Sequence, residues 1–236
     1  MGVNAVKKSK KIEYKVKPQN QALLAFKKKQ KNLTRRFFVE ATQEIIGESG
    51  IESVSIRLIA KRTGYNSAMI YSYFKSLDYL ITLSLMKYFR EYLVTLSEHV
   101  EDSNTPLKNF YIVWEHFFDT CFATPKVFYS LFFVRHQEPL CDIVEQYYEI
   151  FPEEAASHTN VVQRMLKGRD IFERNLRIMI PIVESGDLPP EQLETINEII
   201  VSYFKMLLES KCDLGNDADD SLLKSKLFAV IDLLLK

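Results

Sequence analysis

The side chains best suited to act on another molecule lie between Ile51 and Leu80. Asn66 opens a short helical pattern there, and Ser67, Ala68 and Met69 follow as small or flexible side chains. A helix that begins this way can bring its end close to base edges in a major groove, where Ala68 or Met69 can touch a thymine methyl. Tyr71, Ser72 and Lys75 offer hydroxyl and ammonium groups that can reach phosphates and fix the register. The chemistry implied is recognition of double-stranded DNA, with no bond made or broken.

Groups for covalent or metal chemistry are scattered by comparison. His99, His116, His136 and His158 have no metal-ligand spacing, and Cys121, Cys141 and Cys212 form no CxxC pair. The HExxH, ExxH, GxSxG and P-loop patterns are all missing. The sequence therefore argues against an enzyme, and no cofactor or metal is expected. An odd number of unpaired cysteines suits a reducing cytoplasm.

The elements that must hold these residues follow from periodicity and caps. From Leu33 the apolar residues Phe37, Phe38, Ala41, Ile45 and Ile46 recur at helical steps, and Gly50 suits the helix end. Ser55 reads as the N-cap of a short helix over Ile56–Arg62, and Gly64 breaks it. Asn66 caps the next helix, whose Ile70 and Phe74 belong to the core together with Ile56 and Ile59. Two short helices around a glycine turn, braced by a longer one, make a helix-turn-helix head.

This stretch resembles the TetR family of bacterial transcriptional regulators, closely over about residues 34–80. The residues that carry the likeness are Ile56, Arg57, Ile59, Ala60, Lys61, Gly64, Ile70, Tyr71, Tyr73 and Phe74. The resemblance implies DNA contacts from Ser55 and Arg57 on the first helix, and from Ser67, Ala68, Met69, Tyr71 and Tyr73 on the second. Two positions depart from the family pattern. Met69 stands where threonine is usual, and Leu77 where a phosphate-binding lysine is usual, which leaves Lys75 to supply the charge. Arg57 and Lys61 also read as solvated helix faces, and Tyr73 as a packing residue.

Charge supports a two-part chain. Residues 1–75 hold 16 Lys and Arg against 5 Asp and Glu, whereas residues 76–236 hold 15 against 26. A basic end on an acidic body is the footprint expected when one end meets a polyanion. The organisation expected is a flexible basic arm over 1–31, the helix-turn-helix domain over 32–78, and a helical effector-binding and dimerisation domain over 79–236. The fold class is all-α: seven glycines and eight prolines leave few turns for a many-stranded sheet. The apolar run Ile178–Val183 is too short to span a membrane, and no membrane partner is expected.

In the body, Asn104–Thr105–Pro106 and Thr124–Pro125 mark helix starts, and one helix is expected from about Asn160 to Glu184. Aromatic residues crowd between Tyr111 and Tyr148. Trp114, Phe117, Phe118 and Phe132, with His136 and Asn175 as polar anchors, are the candidates for a pocket that takes a small, mostly apolar effector. Each aromatic is equally readable as ordinary core. The last two helices carry apolar stripes, and Ile196, Ile200, Tyr203, Leu207, Leu227 and Ile231 are the candidates for a homodimer interface, the family's usual arrangement by resemblance. The function expected is repression from a palindromic operator, relieved by the effector; the alternative is a DNA-bound adaptor that acts through a protein partner.

Overall fold

The computed structural model describes residues 18–134 and 138–235. Eleven α-helices follow one another among these residues, with no strand. The head comprises α1 (Pro18–Ser49), α2 (Ile56–Thr63) and α3 (Ser67–Tyr73). The body comprises α4 (Leu77–His99), α5 (Pro106–Ala123), α6 (Pro125–Phe133), α7 (Leu140–Ile150), α8 (Asn160–Leu166), α9 (Ile171–Glu184), α10 (Leu193–Leu214) and α11 (Asp220–Leu235).

Helix α1 begins well before the Leu33 start that periodicity suggests. Residues 18–31, expected to belong to a flexible arm, are its first turns. The stretch is rich in Ala, Leu, Lys and Gln, all strong helix formers, and has no glycine to interrupt it. Two contacts with α7 tie this extension to the body: the Lys28 ammonium lies 2.8 Å from a Glu149 carboxylate oxygen, and Asn32 Nδ2 donates to the Glu149 carbonyl at 2.8 Å. The lysines at 7, 8, 10 and 11 lie outside the described residues.

Phe38, Val39, Ile46, Ile59, Ile70, Phe74 and Leu80 are buried and close the head's core. Phe37, although in step with the apolar periodicity, remains substantially exposed and meets the edge of Tyr65 at 6.1 Å between ring centroids. Helix α4 then runs from the head into the body, packing on α1 and on α5, α6, α7 and α8.

The body core centres on Phe204 of α10, which packs against Trp114, Phe117, Phe118, Phe122 and Phe133. Burying each phenylalanine side chain is worth about 1.5–3 kcal/mol, so this cluster supplies much of the body's cohesion.

The helix expected from Asn160 to Glu184 is two helices, broken at Lys167–Asp170. Gly168 explains the break. A Cβ at this position would lie 2.6 Å from the backbone nitrogen of Arg174 and 2.8 Å from its Cα, so the turn can fold back onto α9 only without a side chain. Asp170 then restarts the helix, its carboxylate accepting from the Glu173 N–H at 2.9 Å.

Candidate nucleic-acid interface and effector cavity

Local hydrogen bonding builds the surface expected to face DNA. Ser55 Oγ accepts from the Leu58 N–H at 3.2 Å, which starts α2 as expected. Gly64 ends that helix at φ 76°, a left-handed conformation, and its N–H bonds to the Ala60 carbonyl at 2.9 Å. Two residues later Asn66 Oδ1 accepts from the Met69 N–H at 2.9 Å and starts α3. These three bonds set the relative direction of the two helices from residues next to one another in the chain.

On that frame Asn66, Ser67, Ala68, Tyr71 and Ser72 are exposed, with Tyr71 at 53%. Ile70 and Phe74 face inward. Met69 is half-buried against the core, and Tyr73 is half-buried with its ring 5.9 Å from that of Phe38. Both are more embedded than their neighbours, so the face open to a ligand is Ser67, Ala68 and Tyr71. Arg57 and Lys61 are exposed on α2 and form no ion pair among the described residues. Arg62, by contrast, is held by Glu44 and Glu48 of α1.

Lys75, expected to replace the missing phosphate-binding lysine, is turned toward the body. Its ammonium pairs with Glu138 and lies 4.8 Å from the centre of the Tyr79 ring. A phosphate contact from Lys75 would have to break that pair. Beneath it, the buried Arg35 of α1 donates to the Tyr79 hydroxyl at 3.2 Å, and that hydroxyl bonds to Gln146 of α7. Arg36 of α1 stacks over Phe151, 4.8 Å from the ring centre. Helix α7 is therefore fastened to both α1 and α4.

The aromatic candidates in the body fall into three environments. Phe118 is fully buried and stacks on Phe122 at 3.8 Å, so it is core. Trp114 and Phe117 line a small pocket of about 20 Å³ with Tyr92, Met165, Ile171 and Arg174. Phe132 lines a larger cleft of about 480 Å³ at the α6–α7 connection and the start of α9, with Glu138, Asp170 and Ile171 among its walls. His136 lies outside the described residues. Asn175 is engaged: its Oδ1 accepts from Trp114 Nε1 at 3.0 Å, and its Nδ2 donates to Asn197 Oδ1 at 2.9 Å. It orients the indole, and its Nδ2 also lies 3.4 Å from the Met179 sulfur.

The polar group that the sequence reading passed over is Arg174. It is 2% exposed, and its guanidinium carbon sits 4.5 Å from the Phe89 ring centre and 5.5 Å from that of Phe132. Nε has no hydrogen-bond partner, and no carboxylate pairs with the group among the described residues. Burial lowers its pKa to about 10, so it stays a cation at neutral pH. A signal was present in the sequence: Arg174 falls three residues after Ile171 and four before Ile178, on the apolar stripe of α9.

The dimer candidates are also relocated. Ile196, Ile200, Leu207, Leu227 and Ile231 are buried within the protomer, where α10 packs on α6, α9 and α11. Only Tyr203 is half-buried. The large apolar residues that these helices leave exposed are Ile199, Met206 and Leu214 on α10, and Leu222 and Leu233 on α11. Among the described residues no helix is long and apolar enough to cross a membrane.

Known proteins match this arrangement at two levels. Residues 38–81 match the model of the bacterial regulatory proteins of the tetR family. No curated protein matches the sequence. FadR of Thermus thermophilus, a TetR family transcriptional repressor solved in complex with lauroyl-CoA, shares the fold at a TM-score of 0.58 and 12% identity, over 85% of this chain and 93% of that one. A tetR family transcription regulator from Shewanella sp. PV-4 shares it at 0.50 and 14%, over 85% and 95%. The likeness to the tetR family thus lies in residues 38–81, while the chain as a whole shares the all-helical fold of these two regulators.

Proposed function

We propose that the protein binds a palindromic operator as a homodimer, represses transcription there, and is released by a small, mostly apolar effector. The observation that carries this reading is the capped helix α3, which presents Ser67, Ala68 and Tyr71 outward from a rigid core. Small residues at its start permit close approach to base edges, and Tyr71 supplies reach to bases or phosphates. Arg57 and Lys61 add uncommitted cations on the adjacent helix.

A second copy would meet α10 and α11 through Ile199, Met206, Leu222 and Leu233, since the inward stripe is already occupied. Two heads about a two-fold axis then fit a two-fold operator. An effector in the body acts only through its unequal affinity for two arrangements of the heads. Helix α7 provides the coupling, because it adjoins the cleft at Leu140 and bonds to α1 and α4 through Glu149 and Gln146. FadR, of the same fold, holds lauroyl-CoA, which supports a small-molecule effector here.

The adaptor reading is favoured by one observation, the 20 Å³ volume of the inner pocket, which leaves little room for a ligand. The 480 Å³ cleft favours a sensor, since it is within the usual range for small-molecule sites.

Fluorescence anisotropy against DNA from upstream of the protein's own gene tests the regulator reading. The expected result is tight binding to one palindromic segment, weakened by added salt and about tenfold weaker in Tyr71→Ala. Equal, weak binding to all sequences in both proteins would refute it.

A further inference from the structure

We propose that Arg174 anchors an organic monocarboxylate, whose acid group pairs with the buried guanidinium while its apolar part lies along Ile171 and Phe132. The proposal names the effector class of the regulator described above and rests on that reading.

A buried cation is costly unless a counter-charge accompanies it, and folded proteins normally provide one. Among the described residues Arg174 has none, as the acidic groups that line the cleft are otherwise engaged. Glu138 pairs with Lys75, Asp170 caps α9, and Glu173 accepts from the Arg169 N–H and lies 4.0 Å from Arg177. The Phe89 and Phe132 rings offset part of the desolvation but present no acceptor in line with Nε. Asn175, next in the chain, is already bonded to Trp114 and Asn197. What remains is a desolvated, planar donor on the wall of an aromatic pocket.

The geometry selects the ligand. A guanidinium fork matches the two oxygens of a carboxylate, and a single negative charge neutralises a single cation. A dianion would leave one charge buried without a partner. The inner pocket beside Arg174 holds about 20 Å³, close to the space of one water, so a bulky headgroup is excluded without rearrangement. Ile171 lines both this pocket and the 480 Å³ cleft, and Phe132, which lines the cleft, also touches the guanidinium. The acid group therefore reaches Arg174 past Ile171 and Phe132, with its apolar part left in the cleft.

Trp114, the protein's single tryptophan, is a wall of the inner pocket and reports on its occupancy. The probes are octanoate and 3-phenylpropionate, each beside its neutral amide, titrated at neutral pH while Trp114 fluorescence is followed. The expected result is that at least one acid binds the wild type about tenfold or more tightly than its amide, as for a charge-assisted pair. Arg174→Met, apolar and of similar length, should level acid and amide while circular dichroism shows the helices intact. Arg174→Lys should keep part of the preference.

Equal binding of acid and amide to the wild type would overturn the proposal, as would no fluorescence change up to millimolar acid. Survival of the preference in Arg174→Met would also overturn it. Should Arg174→Met not fold, the wild-type comparison of acid with amide decides alone. Operator anisotropy in parallel separates the two claims. An acid that moves Trp114 but not operator affinity keeps the anchor and refutes its role as effector. Loss of sequence-specific operator binding altogether refutes the regulator and leaves the anchor standing.

Discussion

Gly64 in the head and Gly168 in the body are both turn glycines, and they are needed for opposite reasons. Gly64 has a positive φ of 76° and open space where a Cβ would stand. Gly168 has no such φ, but a Cβ would collide with the backbone of Arg174. The first requirement is local, a matter of backbone dihedrals between two short helices. The second exists only because α8 has folded back onto α9. The same contrast runs through the candidate binding residues. Those of the head are exposed and set by caps a few residues away, whereas Arg174 owes its character to Phe89 and Phe132, dozens of residues distant.

Substitutions can break or sharpen this contrast. The largest effect should come from the body, where Phe204→Ala removes the ring shared by five aromatics and should cost about 3–5 kcal/mol in denaturant unfolding. Gly168→Ala should cost about 1–3 kcal/mol by overpacking and should also shift the Trp114 emission, because the displaced backbone carries Arg174. Gly64→Ala should cost about 1–2 kcal/mol from the left-handed strain alone, with no change in that emission. If the two alanine variants affect Trp114 alike, the division into a locally and a remotely determined turn fails.

Tyr71→Ala should leave the melting temperature nearly unchanged, since the ring is exposed, yet weaken operator binding about tenfold, or ~1.4 kcal/mol.

The smallest effect expected is on pH dependence. Burial holds both His116 and His158 below their ordinary pKa of 6.5, with His99 adding to the effect at His116. The unfolded chain therefore takes up protons first as pH falls. Their contribution to stability is complete above about 6.5 and declines as pH drops through the folded values. The melting temperature should fall between pH 7 and pH 5, and less steeply in the His116→Gln/His158→Gln double variant. An unchanged slope would assign the acid sensitivity to other groups.

Much of the head was legible in the chain itself. Ser55, Gly64 and Asn66 mark three helix ends by chemistry that acts within three or four residues, and Ile59, Ile70 and Phe74 show the inward face by spacing alone. The outward residues Ser67, Ala68 and Tyr71 follow from the same period. Lys75 was less legible, because its partner Glu138 is remote in sequence.

In the body the apolar pattern announced helices but not their neighbours. The stripe of Ile196, Ile200, Leu207, Leu227 and Ile231 fits an interface between protomers as well as a core within one, and tertiary packing placed it in the core. The break at Gly168 was invisible because both flanking segments are sound helix and only their collision explains it. Arg174 falls on the apolar stripe of α9, but its position in the sequence alone does not show what surrounds it. Sequence by itself determined the all-helical class, the capped head and its exposed face of Ser67, Ala68 and Tyr71, since periodicity and capping are short-range effects. Tertiary structure decided which apolar faces meet one another and which charge is shut away without a partner, since burial is a property of what the rest of the chain packs around a residue.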